Sequence, residues 1–215
     1  MPIRLSKIDD LTRPDHTFIE AGDECLYLGE YTARKGYQFS DTNNLIFNLK
    51  KPMDRRGQPG WHYKRRAIEQ AGRQLREALD TLNPKWLSTA TLVPVPPSKI
   101  KTDPMYDDRL MQLLQVLGRG MALDVRELVT QRESTEAAHS AETRPRIDEL
   151  CDNYLVDETL IQPAPRVIGV IDDVLTTGSH FKAVQHILRG CFPDVRIYGI
   201  FVARRVPDSA DIIAF

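Results

Sequence analysis

The stretch Arg166-Val-Ile-Gly-Val-Ile-Asp-Asp-Val-Leu-Thr-Thr-Gly-Ser-His180 decides how this chain is read. Val167, Ile168, Val170 and Ile171 make an apolar run of the kind found in strands buried within a parallel sheet. Two adjacent acids, Asp172 and Asp173, end the run, and a polar loop follows, Thr176-Thr-Gly-Ser179. Beyond the loop, Phe181, Val184, Ile187 and Leu188 recur at helical spacing. Strand, small-residue turn and helix start predict an anion site. Backbone N–H groups at the helix N-terminus and the threonine and serine hydroxyls surround a phosphate there, and the helix dipole favours its charge.

An ionised carboxylate accepts hydrogen bonds and donates none, so the paired acids suit neighbouring sugar hydroxyls. Acids one step before a phosphate cradle suggest a ribose 5-phosphate held at both ends. A strand-to-helix turn with Asp, Thr and Ser as ordinary caps is the plainer alternative. The order of strand, acids, loop and helix resembles the 5-phosphoribosyl-1-pyrophosphate (PRPP) motif of type I phosphoribosyltransferases. That resemblance implies that Asp172 and Asp173 take the ribose hydroxyls as the catalytic pair. It gives Val174, Leu175, Thr176, Thr177, Gly178 and Ser179 to substrate binding.

Outward from the motif, periodicity predicts strands over residues 24–32, 90–96 and 195–202, and a short strand at 125–129. Leu45–Leu49 reads as either a strand or a short helix. Helices are expected over 63–82, with Ile68, Ala71, Leu75, Leu79 and Leu82 on one face, and over 107–118, with Leu110, Leu113, Leu114 and Leu117 inward. Thr130 to Pro145 is polar, lacks an apolar period and is expected to be a long mobile loop. Alternating strands and helices predict an α/β fold with a mainly parallel, twisted sheet flanked by helices, whose ligands bind beyond the strand C-termini. Residues 1–60 are read as an N-terminal segment and small hood, and 61–215 as the core.

Two further segments fall at that edge of the sheet. Val93-Pro-Val-Pro-Pro-Ser-Lys99 leaves its strand into small and basic residues, making Ser98, Lys99 and Lys101 candidates for a pyrophosphate. The polar loop carries Arg132, His139, Ser140, Arg144 and Arg146, of which Arg132 and Arg144 are the lid candidates. His180 is a further candidate beside the phosphate loop.

With these segments in view the chain resembles the ComF-like branch of the phosphoribosyltransferases, over roughly residues 24 to 206. Leu92-Val-Pro-Val-Pro96 before a basic loop, Ile46-Phe-Asn-Leu-Lys50 and Phe201-Val-Ala-Arg204 carry the likeness. The branch usually has an N-terminal four-cysteine zinc ribbon, which this chain lacks. Where the branch has an Arg-rich loop, this chain reads Thr102-Asp-Pro-Met-Tyr-Asp-Asp-Arg109, which is expected to lower the local positive charge. The resemblance implies transfer of phosphoribose from PRPP to a nitrogenous base. Mg2+ would be held through PRPP, without direct protein ligands, and a variable hood at residues 18–50 would choose the base.

Composition narrows the remaining classes. Hydrophobic residues at 41% and charged residues at 27% fit a soluble globular protein of 215 residues. A net charge of -1 predicts no general attraction to nucleic acid or acidic membranes. Cys25, Cys151 and Cys191 are far apart, so neither a zinc site nor a disulfide framework is expected. The start shows no signal-peptide pattern and no run is long enough to span a bilayer, so a cytoplasmic location is expected.

Two alternatives to the transferase stay open. One is an inactive PRPP- or nucleotide-sensing module, for which a nucleoside monophosphate is a possible ligand. The other is nucleic-acid handling, suggested by Lys50, Lys51, Arg55, Arg56, Lys64, Arg65 and Arg66 with Trp61, His62 and Tyr63 between them. A homo-oligomer is compatible with either.

Overall fold

The computed structural model of the protein describes residues 3–135 and 146–208. The apolar run of the diagnostic stretch becomes β7 (Val167–Leu175), flanked on both edges by parallel partners. On one side lies β8 (Arg196–Val206), on the other β3 (Thr91–Pro94). The six-stranded sheet has the order β1-β2-β8-β7-β3-β4, with β1 (Ser6–Lys7), β2 (Glu24–Thr32) and β4 (Asp124–Val125). Only β1 runs antiparallel to its neighbour, so the sheet is mixed and mostly parallel. A separate antiparallel pair joins β5 (Val129–Gln131) to β6 (Tyr154–Val156).

Helices cover both faces, as an α/β sheet with apolar strands requires. On one face α1 (Asp41–Leu49), α2 (His62–Leu82) and α3 (Arg109–Leu117) pack around Leu92, Ile171 and Ile200. On the other, α4 (Ile147–Asn153), α5 (Ser179–Cys191) and the β5–β6 pair enclose Val93, Ile168, Val170 and Phe201. Helix α2 buries Ile68, Ala71, Leu75 and Leu79 on its inward stripe, but Leu82, in the last turn, is exposed. All four inward leucines of α3 are buried. Where α2 crosses α3, a Cβ on Gly72 would lie 2.7 Å from Val116 Cβ and 2.8 Å from the Leu113 carbonyl oxygen, so glycine sets how closely the helices approach.

Several expectations change in detail. Strand β7 does not end at the acids but runs through them to Leu175, because β8 continues alongside it as far as Arg204. The segment expected as a hood supplies part of the sheet itself: β2 pairs with β8 from Glu24 to Thr32. Its remainder folds as α1, which settles Leu45–Leu49 as helix, capped by the Ser40 side chain. The short strand expected at 125–129 is two, β4 and β5, in different sheets. Thr130 and Gln131 of the expected loop belong to β5, and the loop's residues 136–145 lie outside the described residues. No helix among the described residues is long and apolar enough to cross a membrane.

Candidate functional site

The loop after β7 turns into α5 at Gly178, whose φ of 90° is the left-handed conformation that favours glycine. Ile19 packs against it so closely that a Cβ would lie 2.6 Å from the Ile19 δ-methyl. The N-terminal segment braces this loop from outside. The Phe18 N–H donates to the Thr177 carbonyl at 2.9 Å, and the buried His16 binds the Thr176 carbonyl through Nδ1. With those carbonyls tied outward, the backbone N–H groups of Thr176 through His180 meet no acceptor among the described residues. Amides without an acceptor at a helix N-terminus, beside the Thr176, Thr177 and Ser179 hydroxyls, suit an anion, with Gly178 and Ser179 themselves buried. Val174 and Leu175 are buried within the strand, so any part they play is through the backbone.

Neighbours on a strand point to opposite faces, and the two acids meet different surroundings. Asp172 borders a cavity of about 270 Å3 walled by Pro94–Pro97, Lys99, Tyr106, Arg109, Glu127 and Gln131. Burial and the charge of Asp173 beside it push its carboxyl up to about 7. Asp173 has a side chain only 3% exposed, and both its oxygens are engaged. Lys50 Nζ donates to Oδ1 at 3.1 Å, while Arg109 donates to Oδ2 through Nε at 2.8 Å and brings Nη2 into ion-pair contact with it at 2.6 Å. Burial alone would raise the Asp173 pKa, but these two cations hold it below the usual carboxylate range.

The pairing continues into a closed ring. Arg109 Nη1 donates to Asp107 at 2.9 Å, and Asp107 also accepts from Lys64 at 2.8 Å. Lys64, buried on α2, donates in turn to the carbonyls of Leu49 and Lys51 at the end of α1, the residues on either side of Lys50. Lys50 then closes the circuit on Asp173. Desolvation lowers the Lys64 pKa despite Asp107. The stretch expected to lower the local positive charge thus spends Asp107 on two of the ring's own cations.

The structure brings the two loop segments named from sequence together. Gln131 Nε2 donates to the Pro97 carbonyl at 2.8 Å, and Thr135 N–H to that of Ser98 at 2.7 Å. Lys99 borders the cavity, as does Lys101, whose ammonium pairs with Glu127 at 2.6 Å. Arg132 is exposed and not part of the cavity wall; its backbone N–H binds the Asn153 carbonyl. Arg144, His139 and Ser140 lie outside the described residues, and Arg146 caps α4. His180 meets the Tyr154 hydroxyl at 2.9 Å, and burial followed by the Lys50 charge lowers its pKa to about 4.

Of the basic stripe at 50–66, Lys50 and Lys64 turn inward to the ring and Lys51 to the Gly60 carbonyl, leaving Arg55, Arg56, Arg65 and Arg66 exposed. Sequence reading missed Arg109, Asp107 and His16 as site residues. The adjacent Asp107-Asp108-Arg109 was the local signal for the first two, a compact charge cluster directly before an apolar helix. Among the described residues no group of three or more His, Cys, Asp or Glu side chains is gathered as for a metal ion. Neither a scan against protein-family models nor a search of curated proteins finds a match for the chain.

Proposed function

We propose that the protein binds PRPP and transfers its phosphoribosyl group to a nitrogen nucleophile, releasing pyrophosphate. The observation that carries this reading is the row of unpaired amides from Thr176 to His180, one strand-turn away from Asp172 at a cavity mouth. The mostly parallel sheet, with both features at strand C-termini, supports a type I phosphoribosyltransferase-like fold. In this reading the loop amides and the Thr176, Thr177 and Ser179 hydroxyls hold the 5-phosphate. Asp172, the acid that faces the cavity, accepts from the ribose hydroxyls.

The C1–O bond to pyrophosphate breaks as the C1–N bond forms, the bonding pair leaves on pyrophosphate, and the nitrogen's proton passes to the departing pyrophosphate or to water. Positive charge develops at C1 on the way, so an Asp172 carboxylate nearby stabilises it electrostatically. Mg2+ supplies charge neutralisation of the leaving group when bound. Asp172, Asp107, Asp108 and Glu127 line the cavity, but Asp107 and Glu127 are paired with cations, so in this reading the ion would be held mainly through PRPP.

One observation favours a second reading, a PRPP-sensing module without transfer. Asp173 already has both oxygens occupied, which leaves one acid rather than two for the sugar. Isothermal titration with PRPP and Mg2+, followed by a pyrophosphate-release assay over a panel of bases, separates the two. Binding lost on Asp172→Ala, with release for at least one base, supports transfer; binding without release supports sensing. No heat from the wild type rejects both.

A further inference from the structure

We infer that Lys50 and Arg109, held apart by Asp173, form the cationic seat for the anionic leaving group, with Asp173 acting as their positioning residue rather than as a sugar ligand. The inference rests on the PRPP reading above and names the residues that complete it.

An ammonium has three N–H donors and a guanidinium five. Lys50 gives one to Asp173, and its side chain remains 34% exposed. Arg109 donates Nε to Asp173 and Nη1 to Asp107, keeps Nη2 in ion-pair contact with Asp173, and lines the cavity beside Asp172. Both cations therefore keep unspent donors while their positions are fixed by carboxylates behind them.

Charge points the same way. The ring contains three cations, Lys50, Arg109 and Lys64, against two carboxylates, Asp173 and Asp107. One positive charge is left over in a mostly buried setting, where an unbalanced charge is costly unless an anion meets it. Asp172 and an incoming anion are the candidates at hand. Arg109 lines the cavity wall, and Lys50, which does not line it, sits behind on the other Asp173 oxygen, where its charge partly offsets the rise in the Asp172 pKa.

The cations named from sequence are less suited. Lys101 is neutralised by Glu127, and Lys99, whose charge is felt by Asp103, makes no ion pair within 4 Å among the described residues. Pre-positioned donors lose less on binding than donors that must first be ordered. The ring supplies that pre-positioning through Lys64, which grips the chain on either side of Lys50.

The test compares inorganic pyrophosphate, ribose 5-phosphate and PRPP by isothermal titration in Mg2+ buffer. It uses wild type, Lys50→Gln, Lys50→Arg and the charge control Lys85→Gln, with thermal melts to show that each is folded. Lys50→Gln is expected to weaken pyrophosphate and PRPP by roughly tenfold or more, the loss of one charge-assisted contact. Ribose 5-phosphate should change less than about twofold, Lys50→Arg should recover most of the loss, and Lys85→Gln should change nothing. Equal losses for pyrophosphate and ribose 5-phosphate, no loss for either, or no pyrophosphate binding by the wild type would overturn the inference. Failure of the wild type to bind ribose 5-phosphate, with Lys50-dependent pyrophosphate binding intact, would instead remove the PRPP reading and leave the cationic seat standing.

Discussion

At the scale of single residues, Asp172 and Asp173 are adjacent in sequence and opposite in behaviour. Removing Asp173 as Asp173→Ala strands two cations in a mostly buried site, a change that costs about 3–5 kcal/mol. A urea titration is expected to show that loss, whereas Asp172→Asn should fold. Asp172 has its pKa raised from 3.8 to about 7, so the folded protein holds a proton there that the unfolded chain releases between those values. The cost of charging it is fully present above about 7 and absent below 3.8. Asp172→Asn should therefore raise Tm more at pH 8 than at pH 5, and an equal gain at both would refute this. His16 and His180 work in the other direction. Burial lowers both pKa values, so the stability they contribute is present above 6.5 and lost as pH falls. Little of this was legible beforehand. Sequence showed the acids but not that one would be taken up by Lys50, 123 positions away.

Elements were easier to read than their surroundings. Helices α2 and α3 declared themselves through their apolar stripes, and β7 through its unbroken apolar run. Helix α4 and strand β6 did not, because seven and three residues carry too little periodicity. The end of β7 was misplaced because strand length follows the partner strand, which local sequence does not show. Packing between elements yields a sharper expectation at Gly72. Alanine there gains about 1 kcal/mol of helix propensity but forces a methyl into Val116 and the Leu113 carbonyl, an overpacking cost of about 1–3 kcal/mol. The second effect should win, so Gly72→Ala is expected to lower the urea midpoint. At the α5 start, Gly178→Ala adds backbone strain of about 1–3 kcal/mol to a collision with Ile19. It should weaken ribose 5-phosphate binding as well as stability, measured on the same sample.

For the molecule as a whole, the α/β class followed from the alternation of strand and helix signals, while the place of the N-terminus did not. A strand reads the same from sequence whether it lies in a hood or in the main sheet; the long-range pairing of β2 with β8 decides it. The N-terminal segment also reaches the loop, through His16 and Phe18. Deleting residues 1–18 removes β1 and leaves β2 as an edge strand still paired with β8, and it releases the Thr176 and Thr177 carbonyls. That variant is expected to keep its helical circular dichroism and lose ribose 5-phosphate affinity several-fold; unchanged affinity would show that the bracing is dispensable.

The ring through Lys50, Asp173, Arg109, Asp107 and Lys64 has a consequence in time. Its links span 123, 64 and 43 positions along the chain, and contacts that close such long loops form late, after local structure is in place. During refolding, competence to bind pyrophosphate should therefore lag behind the recovery of helix signal, so a stopped-flow trace of ligand capture would report the final step of assembly rather than the first.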